Sequence, residues 1–557
     1  MQKQHRETLM NTLHSSVNEL FEIRNQFSPA FASKKILLLE TINAPQVKSK
    51  QLLETFYHTL LFILAYPDNK TIYQLAEDKL TALENTIKDN ENIQTLLYNS
   101  GVTGSLVCAQ FSFEIVKWLR IKYQHNVYLD SIGAEDARVL YILSAIMPQV
   151  ESEILQDENS TWKQWLKQCT SAGDDLLDTL INLFDQSPIR PEVKDELWNS
   201  LSIYINVRLV QHTQLPDRLL EKHFHKTLIK KTSLQERAGD KPTKIKITLS
   251  EAQEIIECGR MILVRHSKEI DPISFSEPAF VSYYQLQRGL SIALLGMRPE
   301  RRHPIDCYMG YIVFKNGLPL AYAGSWVLFD SARIALNIFP SYRGGESAHT
   351  FEQILKTHQH VYRLKRFSVD PYQIGKHNSD GIKSASFWMY YKFGFRHLHD
   401  DLAQLATTEA QKLQTQKGYK SAAAVLKKLA NGRLELILKN NATVRFDATD
   451  LSLAYWNIVK EKYAGNRKIA EQDSYQQLKK LLQLSESTDD ANLQYVMKNW
   501  CVILMSDTSA LHFDKPLIEQ LKKLFLFKAQ GSEEDYMRLL QSSKELRKLL
   551  KASALDF

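Results

Sequence analysis

IALNIFPSYRGGESAHTF, residues 334–351, is the stretch on which the reading of this chain turns. The apolar run Ile334–Phe339 reads as a strand. It leads into an Arg, two glycines and a series of small polar residues, and then into a pattern with helical spacing. A turn of that composition either reverses the chain or presents free backbone N–H groups to a phosphate at a helix N-terminus. The flanking sequence has to decide between the two.

Upstream, Tyr308–Phe314 and Leu318–Phe329 are apolar runs separated by Lys315-Asn316-Gly317. Asn-Gly between two such runs is the strongest short-range signal of a hairpin. Ala332–Phe339 follows closely after Asp330-Ser331 and predicts a third strand of an antiparallel meander. Further upstream, Met261–Val264 reads as another strand. Downstream, the spacing predicts a helix over 347–362, a strand over 366–369, a Gly/Asn/Asp-rich loop over 375–381 and a helix over 384–393, closed by Gly394-Phe395. Residues 251–400 therefore read as an α+β domain with a mixed, largely antiparallel sheet.

The flanks differ. From 1 to 215, apolar residues recur at helical spacing, as in Leu52, Leu53, Phe56, Leu60 and Leu61, and the region reads as a helical N-terminal domain. Residues 216–250 form a basic linker, with nine Lys and Arg against four acids between Asp217 and Ser250. Residues 401–557 return to a mainly helical pattern, broken by a small hairpin expected over 434–438 and 442–446. The whole is a multidomain fold, helical flanks around a central α+β domain, as 557 residues would require.

Composition sets limits. Hydrophobic residues at 44% and charged residues at 24% exclude a disordered or fibrous chain. A formal charge of +7 is too small for this length to imply nucleic-acid binding by itself. The five cysteines have no metal-ligand spacing and read as packing residues of a reduced, cytoplasmic protein, with no metal expected. The opening MQKQHRETLMNTLH lacks a signal peptide's apolar core. The longest apolar run, Phe56–Tyr66, is far short of the ~20 residues that span a bilayer, so no transmembrane segment is expected. Catalytic-triad, P-loop and HExxH patterns are absent from the sequence.

The order hairpin, strand, Arg/Gly loop, helix, strand, helix, Gly-Phe resembles the GNAT family of N-acyltransferases over roughly residues 255–400. That family's fourth strand ends in a pyrophosphate-binding loop, Pro-x-x-Arg/Gln-x-x-Gly-x-Gly/Ala, matched here by Pro340, Arg343 and Ala348, with Glu346 where the pattern has Gly. The resemblance implies that Ile338, Arg343, Gly344, Gly345, Ser347 and Ala348 contact an acyl-CoA or similar thioester donor. It implies that Tyr390, within SFWMYYKFGF, protonates the leaving thiolate. The base would be Asp370, at the end of the fifth strand, or Glu346; His349 reads first as a surface residue of the first helix turn. Phe280–Leu295 would be a helical lid presenting Tyr283, Tyr284 and Arg288 to a small-molecule or protein amine.

A carboxylate at 346 opposes a bound pyrophosphate, so three alternatives stay open: it turns away, it pairs with a cation, or it has become the base. Two other functions also stay open. One is an aminoacyl-tRNA-dependent transferase whose RNA contacts lie in 217–250 and in Arg298, Arg301 and Arg302; the other is a catalytically degenerate domain serving as an interaction platform between helical arms.

Overall fold

The structure is a computed structural model that describes residues 2–42, 49–153, 161–230, 234, 241–438, 448–484, 490–506 and 513–555. Four helices open the chain: α1 (Gln2–Ile23), α2 (Pro29–Thr41), α3 (Lys50–Ala65) and α4 (Lys70–Lys88). Ser28 caps α2 ahead of a proline at its first position, and Asn69 caps α4 through its Oδ1 on Ile72 N (2.9 Å). Helix α3 is buried along most of its length, from Leu52 to Ala65, because the other helices and the central sheet cover it.

Residues 106–209 form a second unit that the helical reading misses. Strands β1 (Leu106–Gln110), β2 (Val127–Ile132) and β3 (Ile203–Arg208) pair antiparallel in the order β1-β3-β2. Each is only five or six residues long. The helices between them build a separate core in which Phe113, Phe184 and Trp198 meet at 5.1–5.9 Å. The strand signal is weak here because only one face is apolar and the helices dominate the periodicity.

The central sheet has ten strands. They are β4 (Thr243–Ile245), β5 (Ser276–Gln285), β6 (Leu290–Met297), β7 (Cys307–Lys315), β8 (Leu318–Leu328), β9 (Ser331–Ile334), β10 (Asn337–Ile338), β11 (Arg366–Val369), β12 (Arg396–His397) and β13 (Leu434–Ile437). The order is β12-β13-β11-β9-β8-β7-β6-β5-β4, with β10 pairing β8. All pairs are antiparallel except β9 with β11, the two strands linked by the helix Ser347–Tyr362. Strands β6 and β7 are buried on both faces, so they read as unbroken apolar runs rather than as alternation.

Two expectations are corrected here. Met261–Val264 lies inside the helix Leu249–Arg265, since four apolar residues fit either element. Phe280–Leu295 is not a helical lid but β5 and β6 around a turn in which Arg288 (φ 62°) and Gly289 (φ 68°) are left-handed. The sheet also crosses the boundaries drawn at 250 and 400, because β4 and β13 both belong to it. The hairpin expected around 439–441 has its first strand as β13; its second lies outside the described residues.

The arms are fixed to the sheet by buried polar contacts. Asn316 Nδ2 donates to the carbonyls of Ala65 (3.2 Å) and His223 (3.0 Å). On the C-terminal side, Trp500 Nε1 donates to Pro304 O (3.0 Å). Lys528, fully buried in the helix Lys515–Ala529, donates to Asp306 O (2.8 Å) and pairs with Glu533 (2.6 Å). All five cysteines are free. Cys258, Cys307 and Cys501 are buried, whereas Cys169 is exposed and is not the packing residue its sequence suggests. Among the described residues, no helix is long and apolar enough to cross a membrane.

Candidate functional site

The parallel pairing of β9 with β11 ends at Arg333 and Ser368, one residue before β11 itself ends; after a break at Ala335-Leu336 the chain resumes pairing with β8 as β10, opposite Tyr322 and Ala321. The parallel pair thus ends shortly before β10, which leads into the turn 340–346 and the start of the Ser347–Tyr362 helix. Tyr311 of β7 donates its hydroxyl to Ala335 O at the break. Behind it, His358 bonds Ser325 Oγ through Nε2 (3.2 Å), and burial pushes its pKa down to about 4, which keeps it neutral.

Tyr390, on the helix Ser386–Lys392, is buried with the rings of Phe351 (5.3 Å) and Phe395 (5.7 Å) edge-on to it. Burial raises its pKa, so the phenol keeps its proton. Tyr311 is likewise raised by burial, so both phenols stay protonated.

The turn itself is largely satisfied from within. Arg343 N donates to Pro340 O (3.3 Å), Gly345 N to Tyr342 O (3.2 Å), and Glu346 N to Tyr66 Oη (3.4 Å). Ser341 Oγ bonds His58 Nδ1 (2.7 Å). Gly344 has φ 88°, the conformation for which glycine is suited. Gly345 is glycine for a different reason: a Cβ there would lie 2.6 Å from the Tyr66 ring. The N–H groups of Gly344, Ser347 and Ala348 have no acceptor among the described residues, and neither does the exposed guanidinium of Arg343.

Glu346 has turned inward and paired. It is 1% exposed; Lys315 Nζ (2.8 Å), Arg288 Nη2 (2.7 Å) and Ile229 N (2.9 Å) all donate to its carboxylate. Burial alone would raise its pKa, but Lys315, Ile229 N–H and Arg288 override that and hold it at about 2. Lys315 is pushed down to about 8 by burial, against the opposing pull of Glu346. His225 stands 3.8 Å from the same carboxylate and is driven down to about 2 by burial, hence neutral. Lys230 closes the outside of the turn by donating to Gly344 O and Gly345 O.

No family model, curated protein or solved structure matches this chain. The site is therefore read from its own geometry.

Of the residues singled out in the sequence, the fold brings Arg288 and Glu346 together as a buried ion pair rather than as substrate and base contacts. Asp370 directly follows β11 and lies between Arg333 Nε (3.4 Å) and Arg433 Nε (3.3 Å). Tyr283 and Tyr284 are both buried on β5, at 3% exposure each, Tyr283 donating to Leu219 O (3.4 Å). Ile338 is half-buried on β10. His349 is fully buried beside Glu352 (3.5 Å), contrary to the surface reading, because the first turn of its helix faces inward. Sequence reasoning missed Lys315, Tyr66, Ile229, Lys230 and His225. The one local hint was a lysine ending an otherwise apolar strand. Among the described residues, no group of three His, Cys, Asp or Glu side chains could hold a metal ion.

Proposed function

We propose that the central domain is a GNAT-like acyltransferase that moves an acyl group from a thioester donor, acyl-CoA or a close analogue, to an amine by direct attack. The observation that carries this reading is the turn 340–346, which comes just after the end of the parallel β9–β11 pair and still offers Arg343 and the N–H groups of Gly344, Ser347 and Ala348. Those groups suit a phosphate-bearing donor, with the thioester lying beside the C-terminal ends of β10 and β11. The amine nitrogen forms a bond to the thioester carbon, the C–S bond breaks, and Tyr390, kept protonated by burial, donates to the departing thiolate. Asp370 is the base in this reading, accepting the amine proton directly or through water. Glu346 is not a base here, since its side chain is sealed at 1% exposure and held by two cations and an N–H group, whereas Asp370, though also between two guanidinium groups, is 32% exposed.

The test is release of free thiol from acetyl-CoA and from a long-chain acyl-CoA in the presence of a panel of amines. Amine-dependent release that Tyr390→Phe slows by about 100-fold, the lower range for a general acid, supports the reading. Absence of release with every donor and amine rejects it. One observation favours a second reading, a non-catalytic platform: Lys230, Ile229 and Tyr66 already occupy one side of the turn. In that case Tyr390→Phe and Arg343→Ala leave the protein's biological activity intact. Of the arginines the tRNA-dependent alternative would use, Arg298 and Arg301 are held in ion pairs and Arg302 is buried against main-chain carbonyls; that alternative predicts retention of tRNA that falls steeply with salt.

A further inference from the structure

At the opposite end of the sheet a cavity of about 410 Å³ opens between the helix Phe113–Tyr123 and the corner that follows β6. Five cationic side chains line it, Lys117, Lys194, Arg260, Arg298 and Arg301, against two lining carboxylates, Glu114 and Asp185. Most of these cations are answered. Arg298 grips both oxygens of Glu114 (2.9 and 2.9 Å) and also meets Glu300 (3.0 Å). Arg301 pairs with Asp195, and Lys117 with Asp185. Lys194 donates to the main-chain carbonyl of Asp185 (3.1 Å).

Arg260 has no carboxylate of its own. Its side chain is 8% exposed; it donates to the carbonyls of Ser274 (2.5 Å) and Ile273 (3.4 Å), and reaches Glu114 only at 3.9 Å, where Arg298 already holds both oxygens. The next carboxylates are engaged elsewhere, Glu257 with Lys122 and Glu269 with the hydroxyls of Ser112 and Ser274, and neither is within ion-pair distance of Arg260. Five lining cations thus face two lining carboxylates, with Asp195 and Glu300 answering Arg301 and Arg298 from outside the lining and Glu257 and Glu269 acting on Arg260 from further off. A buried charge without its own counterion is costly. The remaining walls, Phe113, Trp118, Ile121 and Pro191, are apolar, and the Arg260 guanidinium lies 5.6 Å from the Trp118 ring centroid.

We propose that this cavity binds a small monocarboxylate with an apolar or aromatic body, its carboxylate pairing with Arg260, whose nearest carboxylate is shared with Arg298, and its body packing on Phe113, Trp118 and Ile121. The site is independent of the acyltransferase reading and lies away from the turn that reading uses. The experiment is isothermal titration of the full chain with 2-naphthoate and octanoate, and with 2-naphthalenemethanol as the neutral counterpart. At least one acid binds, and 2-naphthalenemethanol binds about tenfold more weakly than 2-naphthoate, the ratio one charge-assisted contact sets. Arg260→Met removes a buried group and risks the fold, so Lys194→Glu, which places a carboxylate on the rim, carries the test; it weakens acid binding about tenfold while far-UV circular dichroism stays unchanged. Three results overturn the proposal: no heat with either acid, equal affinity for 2-naphthoate and 2-naphthalenemethanol, or acid binding indifferent to Lys194→Glu.

Discussion

Two carboxylates in this chain, Glu346 and Glu114, are each shared by two cations, yet their surroundings differ. Glu346 sits between Lys315 and Arg288 with its side chain 1% exposed, roofed by Tyr66 and by the segment that carries Ile229 and Lys230. Glu114 sits between Arg298 and Arg260 with 20% exposure and opens on a cavity. The same arrangement of charge therefore serves as a staple where it is sealed and leaves room for a ligand where it is open. In the acyltransferase reading, the sealed staple accounts for an acid in the turn: the carboxylate is buried, and the N–H groups of Gly344, Ser347 and Ala348 remain without acceptors among the described residues.

The largest expected effect is on the sealed side. Glu346→Gln keeps the shape but strands the buried Lys315, and should lower unfolding stability by about 3–5 kcal/mol in urea titrations. A loss under about 1 kcal/mol would erase the contrast between the two corners. The pH dependence sharpens it. Glu346 is depressed from 4.5 to about 2, so its stabilisation is complete above pH 4.5 and is lost as pH falls towards 2. The gap between wild type and Glu346→Gln should accordingly narrow across that window, and a gap that stays constant would contradict the assignment.

Next in size is Gly345→Ala, whose methyl group would meet the Tyr66 ring and should cost about 1–3 kcal/mol. In a Tyr66→Leu background the cost should largely vanish, and a cost that persists would mean backbone strain rather than contact with the N-terminal bundle. Glu114→Gln, at the open corner, should cost less than Glu346→Gln, about 1–2 kcal/mol, because solvent reaches its partners. The smallest effect belongs to Arg343→Ala. With no partner among the described residues, the side chain should change stability by no more than about 0.5 kcal/mol.

Much of the central fold was legible because its signals are local. Asn316 (φ 47°) and Gly317 (φ 82°) make the hairpin turn their identities predict, and the helix over 347–362 and the strand over 366–369 fall where their spacing puts them. The failures have physical causes. Met261–Val264 is an apolar run too short to carry a period. The 280–295 segment hides its turn at Arg288-Gly289, and β13 joins the sheet from beyond the apparent domain end. At the site, the sequence marked Glu346 as anomalous, but not its partners. Tyr66 lies 280 positions away and Ile229 117 positions away, and no local pattern ties them to the turn.

The most direct test of the account is isothermal titration of acetyl-CoA and a long-chain acyl-CoA into the wild-type chain and Arg343→Ala. The account predicts binding to the wild type that the substitution weakens by about 1–3 kcal/mol, as for a lost charge-assisted contact. No heat with either donor, or equal affinity in the variant, would contradict the claim that this turn still receives the donor.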